Sequence, residues 1–246
     1  MASDDTEAAT IPALKLSRVR PAYEQVTEQL RELIVRGQLP NGARLPTEPA
    51  LAKELGVSRT TVREALRTLA AEGLIQTTKG VGGGNTISRP DRDQVVKFLS
   101  TSLALGTHGD EVTLDDFMEL RRFLEIPAAG MAASRRSDED MHRLDATAES
   151  PTGGAADQLE RNQDFHATLA DVCHNRLLEI AAQPIFLVLQ TRLDRSTLGR
   201  SFHRTVAEQH QAISRAINNE DATGAEQLMA DHLDWLLPHY RKAWVG

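Results

Sequence analysis

Cysteine is almost absent from this chain. The single thiol, Cys173, allows no disulfide within one protomer and no cysteine-based zinc knuckle. Long apolar runs are missing too: no stretch approaches 18 residues, which excludes a conventional transmembrane helix. The acidic start, MASDDTEAAT, lacks the basic opening and apolar core of a secretory signal, so a cytoplasmic protein with no membrane partner is expected. Beyond residue 90 no segment alternates long enough to argue for a sheet. What is present describes a folded chain: 40% hydrophobic and 26% charged residues over 246 positions, enough for one large domain or two modest ones.

The net charge of -7 conceals two unlike parts. Residues 12–89 carry 12 Lys and Arg against 7 Asp and Glu, a net of +5. Residues 90–246 carry 16 against 25, a net of -9. A basic module followed by an acidic one is the charge layout of a DNA-binding head on a body with another task. The expected division is a disordered tail over 1–19, a head over 20–89 and an all-helical body over 90–246.

In the head, Val26, Leu30, Leu33 and Ile34 recur at helical spacing between Tyr23 and Val35. Gly37 and Pro40-Asn41-Gly42 end that helix. Thr47 is placed to cap a short helix that tolerates Pro49 in its first turn, and Gly56 stops it. Ser58 caps the next, with Val62, Ala65, Leu66 and Leu69 on one face. Its first turns carry Arg59, Thr60, Thr61 and Arg63, the side chains a helix presents to bases and phosphates when it enters the major groove. Two short strands, Leu74–Thr78 and Thr86–Ser88, then flank a glycine-rich tip holding Lys79 and Gly80. Helix, turn, helix and wing follow one another as a winged helix-turn-helix requires.

These residues also carry a family resemblance. Gly42-Ala43-Arg44-Leu45-Pro46-Thr47-Glu48, Gly56-Val57-Ser58-Arg59-Thr60-Thr61-Val62-Arg63-Glu64-Ala65-Leu66 and Glu72-Gly73-Leu74-Ile75 resemble the winged helix-turn-helix of the GntR superfamily. The resemblance implies operator contacts by Arg59 and Arg63 and by the wing at Lys79 and Gly80. Pro49 departs from the pattern, standing where the family usually has a DNA-touching arginine.

The body reads as a bundle of helices: one around Val95–Leu103, then 114–133 with a kink at Pro127, one capped by Ser137, then 155–172, 176–198 broken at Pro184, 202–218 and 222–236. His166, His210 and His232 fall on or beside inward-facing stripes of three different helices, and Asn162 shares a face with His166. Three imidazoles converging from separate helices can hold a borderline divalent ion. By spacing alone such histidines are more often separately hydrogen-bonded core residues than shared ligands. Arg121 and Arg122 can likewise form a solvated face paired with Glu119 or Glu125.

The body also resembles the FCD effector domain of the FadR subfamily, through Leu120-Arg121-Arg122-Phe123-Leu124-Glu125, Asn162-Gln163-Asp164-Phe165-His166, Glu208-Gln209-His210 and Met229-Ala230-Asp231-His232-Leu233. That resemblance implies a metal, Zn or Ni, held by Asn162, His166, His210 and His232. It also implies a small organic acid as effector, with Arg121 as its cationic partner; Arg192, whose orientation past Pro184 the pattern does not set, is a weaker pocket candidate. Asn162 departs from the commoner Asp and is a weaker ligand.

Three functions are compatible with these features: a dimeric, ligand-responsive regulator of a palindromic operator, a metal-dependent enzyme using the three histidines, and a DNA-binding protein whose bundle senses nothing. A two-fold protein suits a two-fold operator. No paired glutamate stands ready as a general base for the enzyme.

Overall fold

The computed structural model describes residues 19–78, 80, 82–109, 111–148 and 155–245. It divides into two compact units, Met1–Pro90 and Asp91–Gly246.

In the first unit, α1 (Ala22–Val35) buries Val26, Leu30 and Ile34 at four-residue intervals. The short α2 (Glu48–Leu55) is capped by the Thr47 side chain, which accepts from the Ala50 amide, and Pro49 sits in its first turn. Gly56 ends it in the left-handed region, φ +66°, where a Cβ would be strained. Ser58 then caps α3 (Arg59–Ala71), whose buried face is Val62, Ala65, Leu66 and Leu69. β1 (Ile75–Thr78) and β2 (Gly84–Ile87) pair antiparallel, with Ile75 opposite Ile87 and Thr78 opposite Gly84. Ile75 and Ile87 close the same small core as the helices. The wing and the helix-turn-helix are thus one hydrophobic unit.

Among its described residues the second unit is built of seven α-helices: α4 (Arg92–Gly106), α5 (Leu114–Arg135), α6 (Asp138–Ala148), α7 (Ala155–Val172), α8 (Arg176–Arg192), α9 (Arg200–Asn218) and α10 (Ala222–Ala243). Capping boxes form at Thr113/Asp116 and at Ser137/Asp140, each Thr or Ser accepting from the amide three residues on while the Asp accepts in return. Small residues on α5 (Ala128, Ala129, Gly130, Ala132, Ala133) let α10 approach closely. A Cβ on Gly130 would collide with the Glu226 carboxylate.

Two helices run further than proline chemistry suggests. α8 continues through Pro184 rather than breaking there, because Ala182, Ile185, Phe186, Val188 and Leu189 stay buried around it. α10 passes its expected end at 236 and continues through Pro238, burying Tyr240 and Ala243. Its tail is pinned by two backbone hydrogen bonds, Asp194 N–H to the Ala243 carbonyl (2.7 Å) and Val245 N–H to the Arg192 carbonyl (2.9 Å). One backbone hydrogen bond lost to a proline is outweighed by continued apolar burial along the same face. No helix among the described residues is long and apolar enough to cross a membrane.

Candidate functional site

Two places in the chain concentrate chemistry. On the head, Arg59, Thr60 and Arg63 project from the first turns of α3 and are exposed. Thr61 is half-buried, with its hydroxyl 2.8 Å from the Ser58 hydroxyl and its amide donating to the same oxygen at 3.0 Å. Arg63 is gripped by Glu48, with Nη2 2.8 Å and Nε 3.1 Å from Oε2. In the wing, Gly80 is exposed at φ +104°, a conformation that suits glycine alone. Lys79 lies outside the described residues. Arg44 reaches across to the wing tip and donates to the Gly83 carbonyl, a contact the sequence pattern does not signal.

Inside the body, α7, α9 and α10 bring His166, His210 and His232 together. All three are buried. His232 Nε2 lies 3.2 Å from His210 Nε2 and 3.3 Å from His166 Nε2. Burial pushes the imidazole pKa of each downward, and that of His210 and His232 well down, so all three are neutral near pH 7.

The surrounding groups hold the three rings in different ways. Gln209 Oε1 stands 2.7 Å from His232 Nδ1, so the ring donates there and turns an unprotonated Nε2 inward. Glu125 Oε2 lies 2.5 Å from His166 Nδ1, close enough to orient that ring although off the line of a good hydrogen bond. His210 is held by Phe165, stacked at 3.8 Å between ring centroids and 11° between planes. At this distance one ring can donate an N–H to its neighbour's lone pair, or lone pairs of all three can face one cation.

Asn162, one turn before His166, donates from Nδ2 to the Tyr240 hydroxyl (2.9 Å), while its Oδ1 is buried without a partner. Three imidazoles whose nitrogens lie within 4.8 Å of one another form a donor set that fits a borderline divalent ion, and the unsatisfied Asn162 oxygen lies one helical turn from His166. Carboxylate and amide groups behind the histidines supply the outer support such sites use.

Arg121 belongs to this cluster in a way that spacing did not reveal. It is buried, and its Nε donates to Glu125 Oε1 at 2.6 Å. The pairing with Glu125 that the helical interval allows is therefore made inside the bundle, not on a solvated face. Burial alone would raise the Glu125 pKa, but Arg121 and His166 overcome it and hold the carboxyl at about 2.

Arg192 lies elsewhere. It donates from Nη2 to the Ala104 carbonyl (2.9 Å) and approaches the His108 ring (2.6 Å to Nδ1) at the α4–α8 face. Because α8 runs on unbroken, six residues carry Arg192 roughly 120° around the helix from Phe186, which packs on His166. Glu125, Gln209 and Tyr240 are the site neighbours the sequence pattern missed. Tyr240 was hidden by Pro238, beyond which no helix was expected.

A helix-turn-helix with its wing, carried on one chain with a helical bundle that encloses a ligand-type site, defines a DNA-binding transcription regulator with a sensor domain. Residues 22–83 match the family described as bacterial regulatory proteins, gntR family, and residues 116–234 match the FCD domain. The chain is similar to the transcriptional regulator LutR of Bacillus subtilis (strain 168), 31% identical over 82% of this chain and 93% of LutR. It shows the same 31% identity to an Escherichia coli (strain K12) protein provisionally named as an L-lactate dehydrogenase operon regulatory protein, over 88% of this chain and 85% of that one. It is 29% identical to the transcriptional repressor NanR of Klebsiella aerogenes, over 94% of this chain and 90% of NanR. A solved Streptococcus agalactiae GntR structure is 26% identical, covers 87% of this chain and 98% of its own, and has a TM-score of 0.49. The chain belongs to the GntR family. It is a ligand-responsive transcription regulator and not an enzyme.

Proposed function

We propose that this regulator is a homodimeric repressor whose grip on a palindromic operator is released by a small carboxylate bound beside a divalent metal. The observation that carries the reading is the convergence of three buried imidazoles, with the unpartnered Asn162 Oδ1 one helical turn before His166. Zn or Ni held there by Asn162, His166, His210 and His232 would supply a Lewis-acidic position for a carboxylate. The remaining chemistry belongs to the chain. Gln209 and Glu125 orient His232 and His166, Arg121 adds positive charge within the bundle, and Tyr240 fixes the Asn162 amide. One relative is named a repressor, which supports that sign of control, and another is named for an L-lactate dehydrogenase operon, which supports short hydroxy acids as the first compounds to test.

The test is a thermal-shift screen of small carboxylates on metal-loaded protein, followed by operator release. A ligand that binds only the folded state raises the melting temperature. No shift with any short acid, at concentrations up to 10 mM or so, would remove that effector class.

On the head, Arg59, Thr60, Thr61 and Arg63 are assigned to the major groove, with Lys79 and Gly80 in the wing. Arg63→Ala is expected to weaken operator binding about tenfold or more, since a bidentate base contact contributes about 1–3 kcal/mol. A gel-shift titration in which neither Arg59→Ala nor Arg63→Ala loses affinity would overturn the assignment. Affinity should also fall steeply with salt despite the net charge of -7, because the +5 head releases condensed counterions as it binds. A flat log–log salt plot would contradict this.

A further inference from the structure

The contact between Glu48 and Arg63 is not needed for Arg63 to reach DNA, and electrostatically it is adverse. A carboxylate beside a recognition helix repels phosphate. Its geometry, however, is well defined. Arg63 presents its Nε and Nη2 edge to Glu48, with Nη2 2.8 Å and Nε 3.1 Å from Oε2, and Nε also 3.3 Å from Oε1. A guanidinium has five N–H donors in one plane. Glu48 occupies the inner edge and leaves the outer pair, one N–H on each terminal nitrogen, pointing away from it. Two parallel donors of that kind match guanine O6 and N7.

The backbone that carries the anchor is constrained. Glu48 is the first residue of α2, with the Thr47 side chain capping the turn before it and the Pro49 ring constraining the backbone after it. The Glu48 side chain is 30% exposed and that of Arg63 is 53% exposed, so the pair is rooted between α2 and α3 while the arginine tip meets solvent. A long arginine side chain otherwise loses rotamer freedom on docking, and prior fixation lowers that loss.

We propose that Glu48 is a positioning residue for base specificity. It holds Arg63 for end-on reading of a guanine and at the same time weakens binding to DNA of any other sequence. The inference rests on the assignment of Arg63 to the major groove and adds the group that aims it.

The test uses the full-length protein and two duplexes: one selected from a randomised pool by the wild-type chain, and a scrambled duplex of the same composition. The readout is the ratio of the two affinities by fluorescence anisotropy. Glu48→Ala is expected to bind the scrambled duplex as tightly as wild type or more tightly, while the ratio falls about tenfold, the scale of one lost bidentate base contact. Glu48→Gln, which keeps an acceptor but not the charge, should fall between. Replacing guanines of the selected site singly by 7-deazaguanine should weaken wild type at one position per half-site, and Glu48→Ala should lose that sensitivity. In an Arg63→Ala background, Glu48→Ala should change the ratio no further.

An unchanged ratio in Glu48→Ala, with both duplexes bound more tightly by one factor, would reduce Glu48 to a source of repulsion and overturn the proposal. An unchanged ratio with both affinities and the melting temperature lowered would make it a brace between helices, which overturns it as well. If Arg63→Ala itself leaves the ratio intact, the assignment of Arg63 to the bases fails first. If that variant loses specificity and both Glu48 variants keep it, only the present inference fails.

Discussion

Glu125→Ala is expected to destabilise the helical domain by about 3–5 kcal/mol, because it leaves the buried Arg121 guanidinium without its carboxylate. Arg121 is 2% exposed and Glu125 0%, so neither water nor a surface counterion can replace the lost partner. At about 2–4 °C per kcal/mol for a domain of this size, the melting temperature should drop by about 10 °C. Replacing both partners together by apolar residues, Arg121→Met with Glu125→Leu, should cost much less, since no buried charge then remains unpaired. A calorimetric loss under about 1 kcal/mol for the single variant would mean that the pair is solvated, as surface pairs are.

The same carboxyl makes stability depend on acid. Its folded pKa of about 2 lies below the ordinary 4.5, so the stabilisation is complete above 4.5 and disappears as pH falls toward 2. Asp140 adds to the same limb. Although burial alone would raise its pKa, hydrogen bonds from Ser137 and His174 bring it to about 2 from the ordinary 3.8. Melting temperatures measured from pH 5 to pH 2 should fall more steeply for wild type than for the Arg121→Met, Glu125→Leu double variant. Parallel curves would assign the acid limb to other carboxylates.

The second large effect concerns the metal. Protein purified without chelator or a nickel column is expected to carry about one Zn or Ni per chain, and His210→Ala close to none, because a buried site of three imidazoles loses a strong ligand it cannot replace. Removing the ion from wild type should lower stability by about 2.7 kcal/mol if the free metal had stood at 100 times its Kd. Asn162→Asp should tighten the ion by placing a charged oxygen where the amide Oδ1 now has no partner. Glu125→Gln, which keeps the side-chain volume, should weaken it about 10- to 100-fold through the orientation of His166. Elemental analysis well below one metal per chain in wild type, with His210→Ala unchanged in stability, would make the three histidines packing residues.

Particular residues show how much of this could be read before any coordinates. Thr47, Gly56 and Ser58 announced the helix-turn-helix because capping and left-handed turns are local chemistry, decided within four or five residues. The alternation of charge between head and body needed only counting. His166, His210 and His232 could be placed on inward stripes, since a helix repeats every 3.6 residues whatever surrounds it. Their meeting could not be derived in that way. A separation of 3.2 Å between His210 and His232 depends on how α9 and α10 cross, and periodicity carries no information about crossing angle or depth.

The same limit hid the partners. Glu125 lies four residues from Arg121, a spacing that allows an ion pair on any helix face, and only packing against α7 and α10 put that face inside. Tyr240 lies past Pro238, where local rules end a helix, yet burial of Tyr240 and Ala243 against the bundle outweighs one missing backbone hydrogen bond. Arg192 was a weaker candidate than Arg121, its orientation past Pro184 being unset by local rules, and the unbroken course of α8 turns it toward Ala104 and His108. Sequence by itself determined the two modules, their charges and the faces of their helices, because those follow from short-range sterics and hydrophobic period. Tertiary structure alone decided which charged groups share the low-dielectric interior, because helix crossings, not spacings along the chain, set distances between side chains on different helices.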